Sequence, residues 1–542
     1  MSRVSTPVPR LRAAPLAAAL AAVLSATALA STPPTSAATT PTAARYALRQ
    51  QVRHAPRAPK RAAAAPRGAT RPVTSCGDDD DPGTLRNVLA VAAEGDVVDL
   101  SALTCSTITL TQGAIDVSVL GEHHLYDVTI QGPGRDALTI DAAGASQVLV
   151  VGGFSSGKGT VTLNDVTVAN GAYAGSLAAC IEGFGGAVAL NRVAVTNCHA
   201  TGHYELLFGG AVDVNTLEMT DSSITDSDVV GTGARSNAAG GGAYVGEDAI
   251  LVRSTVSGNS ARAPYASYDG YASVGGGLYV RHDLTLVDST ISGNSIEATE
   301  GGQYARGGGV YVRGFATIAR STISGNRTDG DGGGVFKAIY SVFGEPGGSN
   351  PTTVMTIANS TISGNTAALG GGIVSSRPLD LANSTVADNE APGGGAGVLF
   401  RLAGIKDSDG TLHLRSSIVA TNLSSDDATF ATDLDADGTL AIDGANDLMQ
   451  FVGAAVTLPA DTITADPLLL PLADNGGPTR TQALAAGSPA IDAGNDAAEL
   501  DTDQRGDGFP RVVGAAADIG AFEVQGPPDT IFVDGFDGAA PP

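Results

Sequence analysis

The segment GGGVYVRGFATIARSTISGN, residues 307–326, is one of several near-copies in the same chain. Its ending returns as RSTVSGN (253–259), DSTISGN (288–294) and NSTISGN (359–365), and its beginning as GGGAYV (240–245) and GGGLYV (275–280). The asparagine closing each copy falls at Asn170, Asn197, Asn259, Asn294, Asn326, Asn365, Asn389 and Asn422, with a degenerate copy, DSSITDS, at 221–227. Spacings of about 30 residues mark a solenoid, propeller or array. Each unit reads as a glycine run, a short strand, a turn, a second short strand and Ser-Gly-Asn. Strands of three to six residues separated by Gly and Asn fit one coil of a β-helix. A propeller blade needs four strands and a longer period, and the Leu/Asn code of a leucine-rich repeat is absent. Variable spacing also favours a β-helix, which absorbs insertions at its corners.

If the coils stack at about 4.8 Å, the closing asparagines form a ladder and the Ser/Thr pairs before the apolar residue form a hydroxyl column. Ile, Val and Leu at matching places form the core. Glycine is abundant (71 residues), aromatics are 5% with no Trp, and charged residues are 16%. This profile suits many short strands and tight turns rather than a helical bundle. The expectation is an all-β chain: a single-stranded parallel β-helix with an N-terminal helical cap (84–94 is the one amphipathic stretch) and a C-terminal capping segment, each covering an open edge.

The N-terminus reads as a targeting segment. Arg3, Arg10 and Arg12 precede an Ala/Leu/Val run over 13–30, and cleavage is expected between Ala30 and Ser31. Residues 31–75 are rich in Pro, Ala and Thr and hold eight basic residues and no acid, as a disordered linker would. Residues 76–542 then carry 20 basic against 56 acidic residues, a net of −36. An acidic body disfavours nucleic acid and anionic lipid. The organisation expected is a signal peptide at 1–30, linker at 31–75, N-terminal cap at 76–104, β-helix at 105–462, C-terminal segment at 463–525 and tail at 526–542. No transmembrane segment is expected in the mature chain, which reads as a monomer.

The units GGG-x-Y-V … STISGN resemble the right-handed parallel β-helix repeats of bacterial surface and secreted proteins, and the GGA(I/L/V) half of polymorphic outer-membrane-protein repeats. Residues 465–523, from ADPLLLPLADNGGPTRTQALAAGSPAIDAGN to ADIGAFE, resemble the choice-of-anchor Q domain. Residues 76–100 are weakly similar to the CSLREA-type opening motif, with LRNVL where LREAI is expected, and 527–537 resembles short C-terminal tags. The resemblances imply a secreted or cell-surface protein of a Gram-negative-type bacterium. Right-handedness rests on them and on the rule for parallel crossovers.

Four cysteines in an exported chain read as two disulfides with three pairings open. Cys180 lies in the connection after Asn170 and Cys198 opens the next one, so stacked coils predict Cys180–Cys198. Cys76–Cys105 follows by elimination. The connections 171–184, 198–208, 228–239, 260–274 and 295–306 are long and share one corner, whereas 327–331, 366–369 and 390–392 are short. The long ones hold Tyr173, Tyr204, Tyr265, Tyr268, Tyr271 and Tyr304, which read either as a binding surface or as packing onto the rod. Tyr244, Tyr279, Tyr311 and Phe336 share one repeat position and predict an outward aromatic stack, stabilising in itself or a platform for a glycan.

Catalysis leaves little trace. No paired carboxylates stand at a repeated position, and the seven histidines show no repeated carboxylate partner. The run 78–81 reads as a solvated loop. DLDADG at 433–438 resembles half of a Ca²⁺ loop without its closing Glu, which makes Asp433, Asp435 and Asp437 weak Ca²⁺ candidates; no other cofactor is implied. The reading leans away from an enzyme, towards an adhesin-like exported protein that binds a glycan or surface protein through the loop corner. The alternatives are a polysaccharide lyase or glycoside hydrolase of the pectin-lyase-like fold, and a passive structural stalk.

Overall fold

The computed structural model describes residues 68–526 apart from 118–126, 152–158, 204–205, 234–235, 264–272, 299–304, 339–352, 403–409, 425–431, 455 and 497. The signal-peptide site at Ala30 and Ser31, most of the linker, and residues 527–542 of the tail lie outside the described residues. The described chain is a parallel β-solenoid. A twelve-stranded sheet runs from Thr107–Thr109 to Leu448–Met449, and a 22-stranded sheet holds two further ladders. Every strand pairing within these sheets is parallel. One ladder of the larger sheet contains the strands that follow the glycine runs, such as Ala243–Val245, Leu278–Val280 and Val310–Val312. The other contains Ala249–Val252, Leu284–Val287 and Ala316–Ala319.

Three successive glycines do three different things in each repeat. The first, such as Gly275, sits at φ +65°, in the left-handed region that costs other residues. A Cβ on the second, Gly276, would stand 2.3 Å from the Gly308 carbonyl oxygen of the next coil. A Cβ on the third, Gly277, would stand 2.9 Å from the side chain of Asn294. The glycine run and the closing Asn are therefore two halves of one packing requirement.

The asparagines form a buried column. Nδ2 of Asn259 donates to Oδ1 of Asn294 at 3.0 Å, and the same bond joins Asn294 to Asn326, Asn326 to Asn365, Asn365 to Asn389, and Asn389 to Asn422 at 2.9 Å each. Each Oδ1 also accepts from the backbone N–H of the asparagine before it. Asp433 ends the column, accepting from Asn422 Nδ2 at 2.9 Å. Parallel to it, each backbone N–H of Ser222, Ser254, Ser289, Ser321, Ser360 and Ser384 donates to the next serine hydroxyl, and Ser417 N–H donates to Asp447.

Asn170 and Asn197 are corrections to the ladder. They stand one position earlier in their coils, both at φ 56°, where later coils place Gly258, Gly293 and Gly325. Their side chains point outward and bond each other at 2.6 Å. The inward position after them belongs to Gly171 and Cys198, and Cys198 N–H donates to Ser227 at the foot of the column. Asparagine tolerates the left-handed conformation, so the same residue type serves two adjacent sites.

The long connections also differ from expectation. They open as a third parallel sheet of six strands, from Ala172–Ala174 through His199–Gly202, Asp228–Gly231, Ser260–Ala263 and Ser295–Ala298 to Arg327–Thr328. The middle four turn Ala200, Val229, Ala261 and Ile296 fully into the core, and Ser260–Ala263 adds Ala263. A strand with one or two small inward residues has too little alternation to be read from sequence.

Both disulfides are present, Cys76–Cys105 and Cys180–Cys198. The N-terminal cap starts earlier than residue 76: Thr70–Pro72 pairs with Val97–Asp99, and Arg71 pairs with Asp96. The helix is shorter than expected, Leu85–Ala90, and buries Leu85, Val88 and Leu89. Asp78 is no solvated loop residue. It is buried, pairs with Arg86 at 2.8 Å and accepts from the Thr111 and Gln112 N–H groups.

The C-terminal segment does not simply close the end of the rod. It folds back along the outer face of the twelve-stranded sheet. Thr322 donates to the Arg480 carbonyl at 2.5 Å, Thr361 to Gln504 at 2.6 Å, and Asn359 to the Thr502 carbonyl at 2.6 Å. Thr385 accepts from Ala521 N–H at 3.0 Å, and Ser416 and Asn495 bond each other. The segment holds its own buried ionic centre: Arg505 pairs with Asp503 at 2.6 Å between the rings of Phe509 and Phe522, and Arg511 pairs with Glu523 at 3.4 Å.

Removing a ladder amide strands several buried partners, each worth about 1–3 kcal/mol. Asn326→Ala is expected to lower stability in chemical denaturation by about 3 kcal/mol. Asn197→Gly, which keeps the left-handed turn, is expected to change it by less than about 0.5 kcal/mol.

Candidate functional site

Tyr244, Tyr279, Tyr311 and Phe336 occupy one register column. Their rings stack with centroids 4.8, 5.2 and 5.5 Å apart and planes within 5°. They point away from the main core, as the alternation predicts, yet all four are buried, Tyr279 fully. Val374 and Leu399 continue the column in the next coils, and Ala239 and Val274 pack with it in a second apolar cluster, with Leu369 partly buried against it. This corrects the expectation of an exposed glycan platform on Tyr244, Tyr279 and Tyr311. Burial and the neighbouring Tyr279 hydroxyl hold the Tyr311 phenol well above its ordinary pKa. Tyr173 is half-buried against the core. Tyr204, Tyr265, Tyr268, Tyr271 and Tyr304 lie outside the described residues.

The same column continues below the rings as Glu182 and Asp213, which are register neighbours and both buried. Burial, and then the charge of Glu182, push the Asp213 carboxyl well above the usual range. Two carboxyls held together without water favour sharing a proton. The pair is too enclosed to meet a sugar substrate directly. Sequence reading missed it because the partners are 31 residues apart and the coils that follow carry aromatic residues at the same position. The register that predicts the rings also predicts the pair.

At the opposite end of the stack lies a group of cations. Arg306 and Arg313 bracket the strand Val310–Val312 in the stretch RGGGVYVR. Arg306 lies over the Phe336 ring at 5.2 Å. Lys337 is fully buried, and its Nζ donates to the Arg313 carbonyl at 2.7 Å and to Thr353 Oγ1 at 3.2 Å. Burial, reinforced by Arg377, brings its pKa down to about 7. Arg401 pairs with Asp331 at 2.8 Å, and burial raises Asp331 despite Arg401 and Arg306.

Two histidines meet carboxylates across coils, each at a different position of the repeat. His199 pairs with Asp228 and bonds Asn197 at 2.9 Å. His413 stands between Asp380 at 3.9 Å and Asp443 at 3.4 Å. Their partners lie about one repeat away in sequence, in the same register column. A shallow depression of about 520 Å³ is lined by Gly134, Arg135, Asp136, Asp165, Arg192 and Asp221. Two of its acids are already paired, Asp165 bidentately with Arg192 at 2.6 Å and Asp221 with Arg253 at 2.7 Å.

Of the Ca²⁺ candidates, Asp433 gives one oxygen to Asn422 and the other to Phe451 N–H. Asp435 accepts from Ala436 N–H, and Asp437 accepts from Leu402 N–H. The three serve separate backbone turns. Among the described residues, no group of three or more His, Cys, Asp or Glu side chains is arranged to hold a metal. Among the same residues, no helix is long and apolar enough to cross a membrane.

No family model matches the chain, and no curated protein matches it. Among solved structures, a crystal structure of pectate lyase Pel9A is similar at 14% identity with a TM-score of 0.35, covering 84% of this chain and 96% of that one. A likeness this distant transfers no residue role.

The buried acids give the fold a pH signature. Burial raises Asp433 to about 6 and Asp447 and Glu523 to about 7. A carboxyl whose folded pKa exceeds its unfolded value binds more protons when folded, so its contribution falls as pH rises from about 4 through 7. Melting at pH 5 is therefore expected at a higher temperature than at pH 7.5. Asp447 Oδ2 has no hydrogen-bond partner among the described residues. Asp447→Asn should flatten the difference and stabilise the fold at pH 7.5 by on the order of 1–3 kcal/mol.

Proposed function

We propose that this chain is an exported, adhesin-like β-solenoid that binds a glycan or surface protein along the corner built by its long connections. The observation that carries the reading is the construction of that corner. Parallel register brings the connections of successive coils onto one six-stranded sheet, with a second small sheet, Leu206–Phe208 against Asn237–Ala239, raised beside it. A rigid scaffold presenting neighbouring loops is a common way to build a binding surface. The two disulfides suit an oxidising compartment outside the cytosol. The resemblances to choice-of-anchor Q and outer-membrane repeat proteins point the same way, to the surface of a Gram-negative-type cell. Calcium at Asp433, Asp435 and Asp437 has no part in this reading.

A second reading, a polysaccharide lyase, has one observation in its favour. Lys337 is a lysine brought down to about pKa 7, as a general base at neutral pH needs. It is enclosed and bonded to a carbonyl and a hydroxyl.

A glycan and host-protein array, run beside turnover assays on neutral and acidic polysaccharides with and without Ca²⁺, separates the readings. Saturable binding without turnover is the expected result. Bond cleavage abolished by Lys337→Met would replace the first reading with the second.

A further inference from the structure

In a body carrying a net −36 over residues 76–542, arginine normally finds a carboxylate. Arg192, Arg253 and Arg320 do so bidentately, with Asp165, Asp221 and Asp288. Arg306 and Arg313 do not: among the described residues neither has an ion pair. Two acids close to them in the fold are hydrogen-bonded elsewhere. Asp331 is held by Arg401 at 2.8 Å, and Asp283 accepts from Phe315 N–H at 2.8 Å.

Both residues are half-buried, the Arg306 Nε is buried without a hydrogen-bond partner among the described residues, and both lie close enough to the Tyr311 hydroxyl to act on its charge. Arg313 likewise acts on Lys337. The previous coil has Val274 where this one has Arg306, with Arg281 as the equivalent of Arg313. The doubled arginine is therefore particular to this coil. Positive charge is concentrated around this strand, where the one register-neighbouring acid, Asp331, is shared with Arg401, and the rigid aromatic column beneath fixes both flanks of the strand that carries it.

We infer that Arg306 and Arg313 form a binding site for the oxyanion of an acidic sugar. This deepens the glycan reading above and rests on it. Guanidinium groups are suited to this ligand because their planar donors match a carboxylate or sulfate bidentately. Beyond about 8 Å the surrounding acids are screened at physiological salt, so they weigh little on a contact made at the site itself. They do disfavour a long polyanion, which selects a short acidic unit.

The test is binding of tetragalacturonate, a sulfated chitooligosaccharide and neutral chitotetraose to the intact protein by calorimetry. The site predicts at least tenfold tighter binding of one or both acidic probes than of the neutral one. It predicts at least a tenfold loss in Arg306→Gln/Arg313→Gln, weakening in 1 M salt, and no loss in Arg192→Gln. The carboxylate and sulfate arms show which oxyanion is taken. Circular dichroism and melting confirm that the double variant is folded. Equal acidic binding by wild type and double variant would overturn the site. If the array finds only neutral or protein ligands, the site falls and the adhesin-like reading stands; if nothing binds, both fall.

Discussion

The strict vertical register of parallel strands, fixed from inside by the asparagine column, is the constraint on which the rest of the structure depends. Each buried amide satisfies a carbonyl of the preceding coil and the amide of the next coil. A one-residue slip would turn every core side chain outward and break two hydrogen-bonded columns at once. Both columns end on a buried carboxylate, Asp433 and Asp447. An acid there accepts hydrogen bonds without requiring a further coil. The cost is desolvation, seen in the raised pKa of both.

The outside of the rod obeys the same register with different chemistry. At the corner before the twelve-stranded sheet, successive left-handed residues read Asp165, Arg192, Asp221, Arg253, Asp288 and Arg320, then Asn359, Asn383, Ser416 and Asn446. Charges alternate and pair where the corner faces solvent. They give way to amides and a hydroxyl where the C-terminal segment lies across it, with Asn359, Ser416 and Asn446 bonding that segment directly. Covering an unpaired Asp or Arg would be costly, whereas an amide can bond the segment's backbone. The change of residue type follows the segment's path, whose edge reaches the Arg320 carbonyl through Thr479.

Much of this was legible because repetition turns sequence position into spatial position. The solenoid, the aromatic column and Cys180–Cys198 all follow from stacking like residues. The failures arise where one motif serves two sites or where layers meet. Asn170 and Asn197 look like ladder residues, yet sit in the turn that glycine fills elsewhere. The tyrosine column was rightly placed outside the core, but the apolar residues packed over it, Ala239, Val274 and Leu369, come from the connections, which no local pattern marks. The Glu182–Asp213 pair escapes a search by repeat position because Glu182 lies in an early coil that lacks the glycine-run motif marking that position elsewhere. The fold-back of residues 465–526 depends on hydroxyls of Thr322, Thr361 and Thr385 that look like any other strand threonines.

Spin-label distances along one outer column test the central claim most directly. Ala169, Thr196, Thr225, Ser257, Ser292 and Ser324 are successive register partners in the twelve-stranded sheet. Labels at Thr196 and Ser292, Thr196 and Ser324, and Ala169 and Ser324 span three, four and five coils. Stacked coils predict distances rising by about 4.8 Å per coil with narrow distributions. Distances that do not increase with coil number would contradict the account.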